Sequence, residues 1–141
     1  MKLKQSKVIF DPIQHTYSLN GVFLSGITGI ISKYLFPKKY NDVPKHILEA
    51  AAQRGSKVHA DCEFYDRTGF EADSMEVSNY IRLKEEHNLV TVANEYIVSD
   101  EKYIASPIDL VLEDTSKTVN LADIKTTAKL DEEYLSWQLS I

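Results

Sequence analysis

The residues able to do chemistry concentrate between Ile104 and Thr127, in IASPIDLVLEDTSKTVNLADIKTT. Two apolar runs, Ile104–Glu113 and Val119–Thr126, read as strands joined by the polar turn Asp114-Thr115-Ser116-Lys117. Both are rich in Ile, Leu and Val, so both are expected deep in a sheet. Yet each carries an acid where a core residue would stand, Asp109 in the first and Asp123 in the second. Lys125 follows Asp123 by two positions and shares its face. A turn centred near Ser116 sets Val119 opposite Glu113 and therefore Asp123 opposite Asp109. Directly opposed residues have Cβ atoms about 4.5–5.5 Å apart, close enough for two carboxylates to share one cation. Without a cation the two like charges repel, the more so when buried. The pattern asks for a metal ion. A slip of one residue would send the acids to opposite faces, and Asp-Ile-Lys would then be a solvated strand end.

A second group of candidates needs a helix to carry it. Asp42-Val43-Pro44 reads as a helix start, with Asp42 as cap and Pro44 in the first turn, and Arg67-Thr68-Gly69 as its end near Tyr65. Leu48, Ala51, Ala52, Gly55, His59, Cys62 and Glu63 recur at three- and four-residue spacings, which makes them one stripe. Gly55 costs about 1 kcal/mol against alanine in mid-helix and suggests the close approach of a neighbouring strand or ligand. His59 and Glu63, four apart, can reach one point. A histidine on an apolar stripe is either a hydrogen-bonded core residue or, with these neighbours, the edge of a metal site. His-Ala-Asp-Cys-Glu is not the His-Glu-x-x-His of zinc peptidases.

The remaining elements must hold these two groups together. Val8–Phe10 and Thr16–Leu19 read as strands, and Asn20-Gly21 as a hairpin turn into Val22–Leu24. Ser25 is the expected cap of a short helix to Leu35, closed by Pro37, in a locally basic stretch with Lys33, Lys38 and Lys39. Asp73–His87 is a further helix with Met75, Tyr80 and Leu83 turned inward. Val90–Val98 is a strand, and Ser99–Lys102 a turn into the central hairpin. Glu95 faces either the site or solvent, as that turn decides. Glu132–Ile141 is an amphipathic helix without a stop signal, so a natural chain continuing beyond it is expected. The order predicts a mixed α/β (α+β) fold with antiparallel central strands flanked by helices. One domain over residues 1–141 is expected, with an N-terminal hairpin and short helix in 1–40 and the core in 41–141.

Composition narrows the class. Hydrophobic residues at 43% and charged residues at 26% are those of a globular protein. A single cysteine, Cys62, excludes an internal disulfide and any thiolate-only metal site. No apolar run suggests a signal peptide or a membrane span, so a cytoplasmic protein is expected. The net charge of −5 opposes a chain coated by nucleic acid but leaves local basic patches open.

These residues together resemble the PD-(D/E)XK nuclease superfamily, in its RecB-like and phage exonuclease branch. Gly55-Ser56-Lys57-Val58-His59 resembles the G-x-x-x-H helix of that branch, and Asp109 in Ser-Pro-Ile-Asp-Leu-Val its strand aspartate. Asp123-Ile124-Lys125-Thr126 resembles the D-x-K-T element, and Gln138 the glutamine of the Q-x-x-x-Y helix, whose tyrosine would fall at 142, past the last residue. The segment HTYSLNGVFLSGITGII is similar to the N-terminal part of phage members, while Ser106-Pro107 replaces the usual glycine. The resemblance implies a restriction-endonuclease-like core and a metal-dependent DNA nuclease. It points to an exonuclease of recombination or repair, phage-encoded, with phage or host recombination proteins as partners. Asp109 and Asp123, with the Ile124 carbonyl and His59, would hold Mg²⁺ or Mn²⁺, oxygen donors suiting both ions and the imidazole favouring Mn²⁺. The ion would polarise the scissile phosphate and lower the pKa of a bound water. Lys125 would position that water and offset transition-state charge. Gln138 would orient the site or touch DNA, and Glu63 and Glu95 would stand behind the ligands. Two other readings are a catalytically weak nucleic-acid-binding module on this fold, and a metal-free domain in which the acids cap turns or pair with lysines.

Overall fold

The computed structural model describes residues 2–140, so the expected helix end at Ile141 lies outside the described residues. The elements are β1 (Ile9–Asp11), β2 (Thr16–Leu19), β3 (Val22–Gly26), α1 (Ile27–Tyr34), α2 (Lys45–Thr68), α3 (Met75–Glu86), β4 (Val90–Ser99), β5 (Ile104–Glu113), β6 (Val119–Ala122) and α4 (Glu132–Ser140). The fold is mixed α/β. Hydrogen bonding orders the strands β1-β2-β3-β5-β4, with β6 also on β5. The sheet is mixed because β3 pairs parallel with β5 while β1–β2, β2–β3 and β5–β6 are antiparallel. The chain divides into two compact units.

The first unit contains β1, β2, β3, α1, the turn between β4 and β5, and α4. Asn20 and Gly21 both have positive φ, 52° and 79°, the backbone a two-residue hairpin turn requires, and Leu19 pairs with Val22 across it. Val8, Tyr17, Leu24 and Ala105 form its buried core. Ser25 was the expected cap of α1, but Gly26 takes that place with no side-chain hydrogen bond. β3 runs straight into the helix, and a Cβ at Gly26 would come within 3.2 Å of the Tyr17 ring. Tyr134 of α4 lies 3.1 Å from the Ser32 hydroxyl and edge-on to Phe36. Lys39 pairs with Asp131 and sits 4.3 Å from the Tyr134 ring centre.

The second unit contains α2, α3, β6 and the parts of β4 and β5 that carry Glu95 and Asp109. Pro44, not Asp42, stands at the start of α2, again without a side-chain cap. Gly69 closes it in the left-handed region, its N–H donating 2.7 Å to the Tyr65 carbonyl. The inner stripe is shorter than the spacing suggested. Ala51 and Ala52 are exposed, and burial begins at Val58 and Cys62, which pack on Val77 of α3. Ser74 caps α3, its Oγ accepting the Val77 N–H at 3.1 Å, one residue later than Asp73 would have. That phase turns Val77, Tyr80, Ile81 and Lys84 inward and leaves Met75 78% and Leu83 47% exposed, against the expectation for both.

The central hairpin keeps the expected register, Glu113 with Val119 through Leu110 with Ala122. Asp114 shapes its turn by accepting the N–H groups of Ser116 and Thr118 through Oδ1 at 2.8 and 3.0 Å. Two expectations fail here. The second strand stops at Ala122, short of Thr126, and it is not deep: Leu110, Val111 and Leu112 of β5 are buried, while Leu121 is 58% exposed. β6 has β5 as its hydrogen-bonded neighbour on one side, so its apolar residues have less to bury against. Among the described residues no helix is long and apolar enough to cross a membrane.

Candidate metal centre

Three elements and one loop of the second unit meet at a single point. The ladder's last pair, Leu110 with Ala122, makes Asp109 and Asp123 the next residues in line. There the pairing changes character: Asp109 Oδ2 accepts the Ile124 N–H at 2.7 Å. A side chain has taken a backbone donor that a continuing strand would have used, which accounts for the early end of β6. The Ile124 carbonyl lies 2.9 Å from His59 Nε2, which is also 3.6 Å from Asp109 Oδ2. His59 Nδ1 lies 3.5 Å from Glu95 Oε1. One donor atom each of His59, Glu95 and Asp109 therefore falls within 4.8 Å of the others, the spacing of a group able to hold a cation. Asp123 Oδ2 is 2.6 Å from Lys125 Nζ.

The electrostatics are those of a site short of positive charge. Burial raises the Asp109 pKa, the Asp123 and Glu95 charges raise it further, and the Ile124 N–H and His59 hold it back. The His59 pKa is raised too. Its hydrogen bond to Glu95 contributes most, burial opposes, and the Asp109 charge and the Ile124 carbonyl add to the rise. Both ring nitrogens face oxygen atoms, Nδ1 that of Glu95 and Nε2 that of Ile124. Two carboxylates, an imidazole and a carbonyl are donors of the kinds that bind divalent cations. Glu95 is 42% exposed at its side chain, so one side of the group is open to solvent.

The sequence candidates fall unevenly around this point. His59, Asp109 and the Ile124 carbonyl come together, with Asp123 and Lys125 paired alongside. Glu95 joins the ligand-distance group itself, whereas Glu63 pairs with Arg67 at 2.5 Å along α2. Gln138 lies on α4, half-buried, in the unit that does not contain these residues. A Cβ on Gly55 would meet the Thr126 hydroxyl at 3.6 Å, an ordinary contact, so the helix does not need a glycine to clear that neighbour.

Asp66 escaped the sequence reading, although it stands seven residues after His59 and so on the same face of the helix. Its carboxylate accepts from Tyr80 Oη at 2.6 Å, Asn94 Nδ2 at 2.8 Å and Thr91 Oγ1 at 3.0 Å, and it pairs with Lys84. Burial would raise its pKa, but the hydrogen bonds from Lys84, Tyr80 and Asn94 outweigh burial and lower it. The same contact and burial push the Tyr80 hydroxyl well above its usual range. Nearby Cys62 is pushed up to about 11 by burial, which makes it an inert thiol. A groove of about 790 Å³ opens beside Asp66, lined among others by Tyr65, Ile81, Lys84 and Thr91. Its lining includes neither His59, Glu95, Asp109, Asp123 nor Lys125, so this groove and the chemical groups do not coincide.

Comparison with family models, with curated proteins and with solved structures found no match.

Proposed function

We propose that the chain is a metal-dependent DNA nuclease of the PD-(D/E)XK type, with a restriction-endonuclease-like core carried by α2, β4, β5 and β6. The convergence of His59, Glu95 and Asp109 donor atoms within 4.8 Å carries the reading. Lys125 beside Asp123 supports it, because an ammonium there could offset charge developing on a phosphate. His59, Glu95, Asp109 and the Ile124 carbonyl would hold Mg²⁺ or Mn²⁺, with Asp123 the adjoining carboxylate. When bound, the ion supplies Lewis-acid polarisation of a phosphoryl oxygen and a more acidic water. The chain's own groups supply the rest. Asp109 fixes the Ile124 carbonyl through its N–H, and Asp123 holds the Lys125 ammonium against the site. Lys125 then orients the attacking water and offsets charge on the phosphate. On the resemblance, the substrate proposed is DNA and the reaction exonucleolytic, in cytoplasmic recombination or repair of phage origin.

Calorimetric titration with Mn²⁺, followed by an assay on linear DNA, tests the reading. The protein should bind Mn²⁺ and cleave, and Asp109→Asn should do neither. Binding that survives Asp109→Asn undiminished would remove the metal centre. Metal binding without cleavage would leave a binding module.

A further inference from the structure

We propose that Asp66, acting through Asn94, is a positioning residue that turns Glu95 into the metal centre. The purpose rests on the metal reading above; the geometry rests on the backbone of β4. Glu95 has φ 47° in the middle of that strand. A non-glycine residue held in the left-handed region costs about 1–3 kcal/mol and persists only where its surroundings over-determine it. In a regular strand, residues 94 and 95 would point to opposite faces. Here both reach α2: Asn94 Nδ2 donates to Asp66 at 2.8 Å, and Glu95 lies 3.5 Å from His59. The left-handed residue breaks the alternation, as bulges do where a side chain must be re-aimed.

Asp66 is built to hold that break. Its side chain is only 4% exposed, and Thr91 donates to the same Oδ2 as Asn94, so β4 is anchored just before it turns. Lys84 and Tyr80 fix the carboxylate from α3. Asp66 and His59 lie seven residues, about two turns, apart on one helix face. The anchor and the site thus share one rigid support.

The test reads backbone and metal separately. Carbon chemical shifts of residue 95 in the metal-free protein should report a left-handed conformation in wild type and an extended one in Asn94→Ala. Mn²⁺ affinity should fall about 10-fold in Asn94→Ala, the usual effect of losing a group that orients a ligand. The same change in a Glu95→Gln background should have no further effect. Asn94→Ser, too short to span to Asp66, serves if the alanine variant folds poorly. Thr91→Val, which removes the neighbouring bond, should lower stability and leave residue 95 left-handed. A left-handed residue 95 that survives loss of Asn94, or additive losses of Mn²⁺ affinity in the double variant, overturns the proposal. Absence of Mn²⁺ binding by wild type removes the metal reading alone, and the backbone comparison still decides whether Asp66 holds Glu95.

Discussion

Two carboxylates of the second unit, Asp66 and Asp109, are similarly withdrawn from water, with side chains 4% and 13% exposed. Their environments push them in opposite directions. Asp66 accepts from a lysine, a tyrosine, a threonine and an asparagine, and its pKa falls although burial would raise it. Asp109 receives one backbone N–H, lies 3.6 Å from His59 and faces the charges of Asp123 and Glu95, and its pKa rises with burial. The same chemical group has been made a structural fixture in one place and left short of positive charge in the other. A fold that can match one buried acid so fully has no general difficulty with buried acids. The less fully matched one stands where the proposed cation would sit.

The largest expected effect breaks the first half of that contrast. Asp66→Ala leaves Lys84, Tyr80 and Asn94 without their acceptor and should cost about 3–5 kcal/mol of metal-free stability, read by denaturant unfolding. Asp109→Asn should leave metal-free stability equal or higher, since it removes a like-charge repulsion. The two variants also separate by pH. The depressed Asp66 pKa contributes stability fully above its unfolded value of about 3.9, lost as pH falls through its lower native value. The raised Asp109 pKa works the other way, its penalty growing as pH rises above about 3.9. Wild type and Asp66→Asn should thus converge in acid, and so should wild type and Asp109→Asn, from the opposite side. Convergence from the same side would end the comparison.

The contrast also explains what the sequence could reveal. Asp109, Asp123 and Lys125 were legible because acids interrupting apolar strands are conspicuous, and the turn length fixed their register. The depth of β6 was not, since Val119 and Leu121 carry the same apolar signature whether or not a neighbour covers them. Glu95 could be named but not placed: its left-handed φ depends on Asn94 reaching Asp66, a contact across 28 residues. Leu83 was expected inside because it is apolar, yet Lys84 takes the inner place where Asp66 needs a cation. Asp66 itself had a usable signal, its spacing of two helical turns from His59.

Smaller effects sharpen the unmatched half. Lys125→Ala should bind Mn²⁺ and DNA nearly as wild type does but lower cleavage by at least ~10²-fold, as loss of a transition-state contact does. Its rival role is only to neutralise Asp123. Saturating Mn²⁺ would then restore the rate, and such recovery removes Lys125 from the chemistry. His59→Ala should weaken Mn²⁺ by about 10-fold or more and Mg²⁺ less, since imidazole suits the softer ion. An unchanged ratio of the two affinities would make His59 a packing residue held by Glu95 and Ile124.

The smallest effect concerns Gly55, one turn before His59. In a helix interior alanine is favoured over glycine by about 1 kcal/mol. The space allows it, because the added methyl would meet only the Thr126 hydroxyl at 3.6 Å. Gly55→Ala should therefore raise metal-free stability by up to about 1 kcal/mol and leave Mn²⁺ affinity unchanged. Cleavage is the informative readout. If a substrate phosphate reaches the Lys125 ammonium past Thr126, it crosses the surface that the methyl narrows. A stabler variant with an unchanged rate would make Gly55 dispensable to the site. A stabler variant with intact metal binding but a raised KM for DNA would place the substrate's path between α2 and Thr126. Loss of stability would show that the Gly55–Thr126 approach is tighter than 3.6 Å implies.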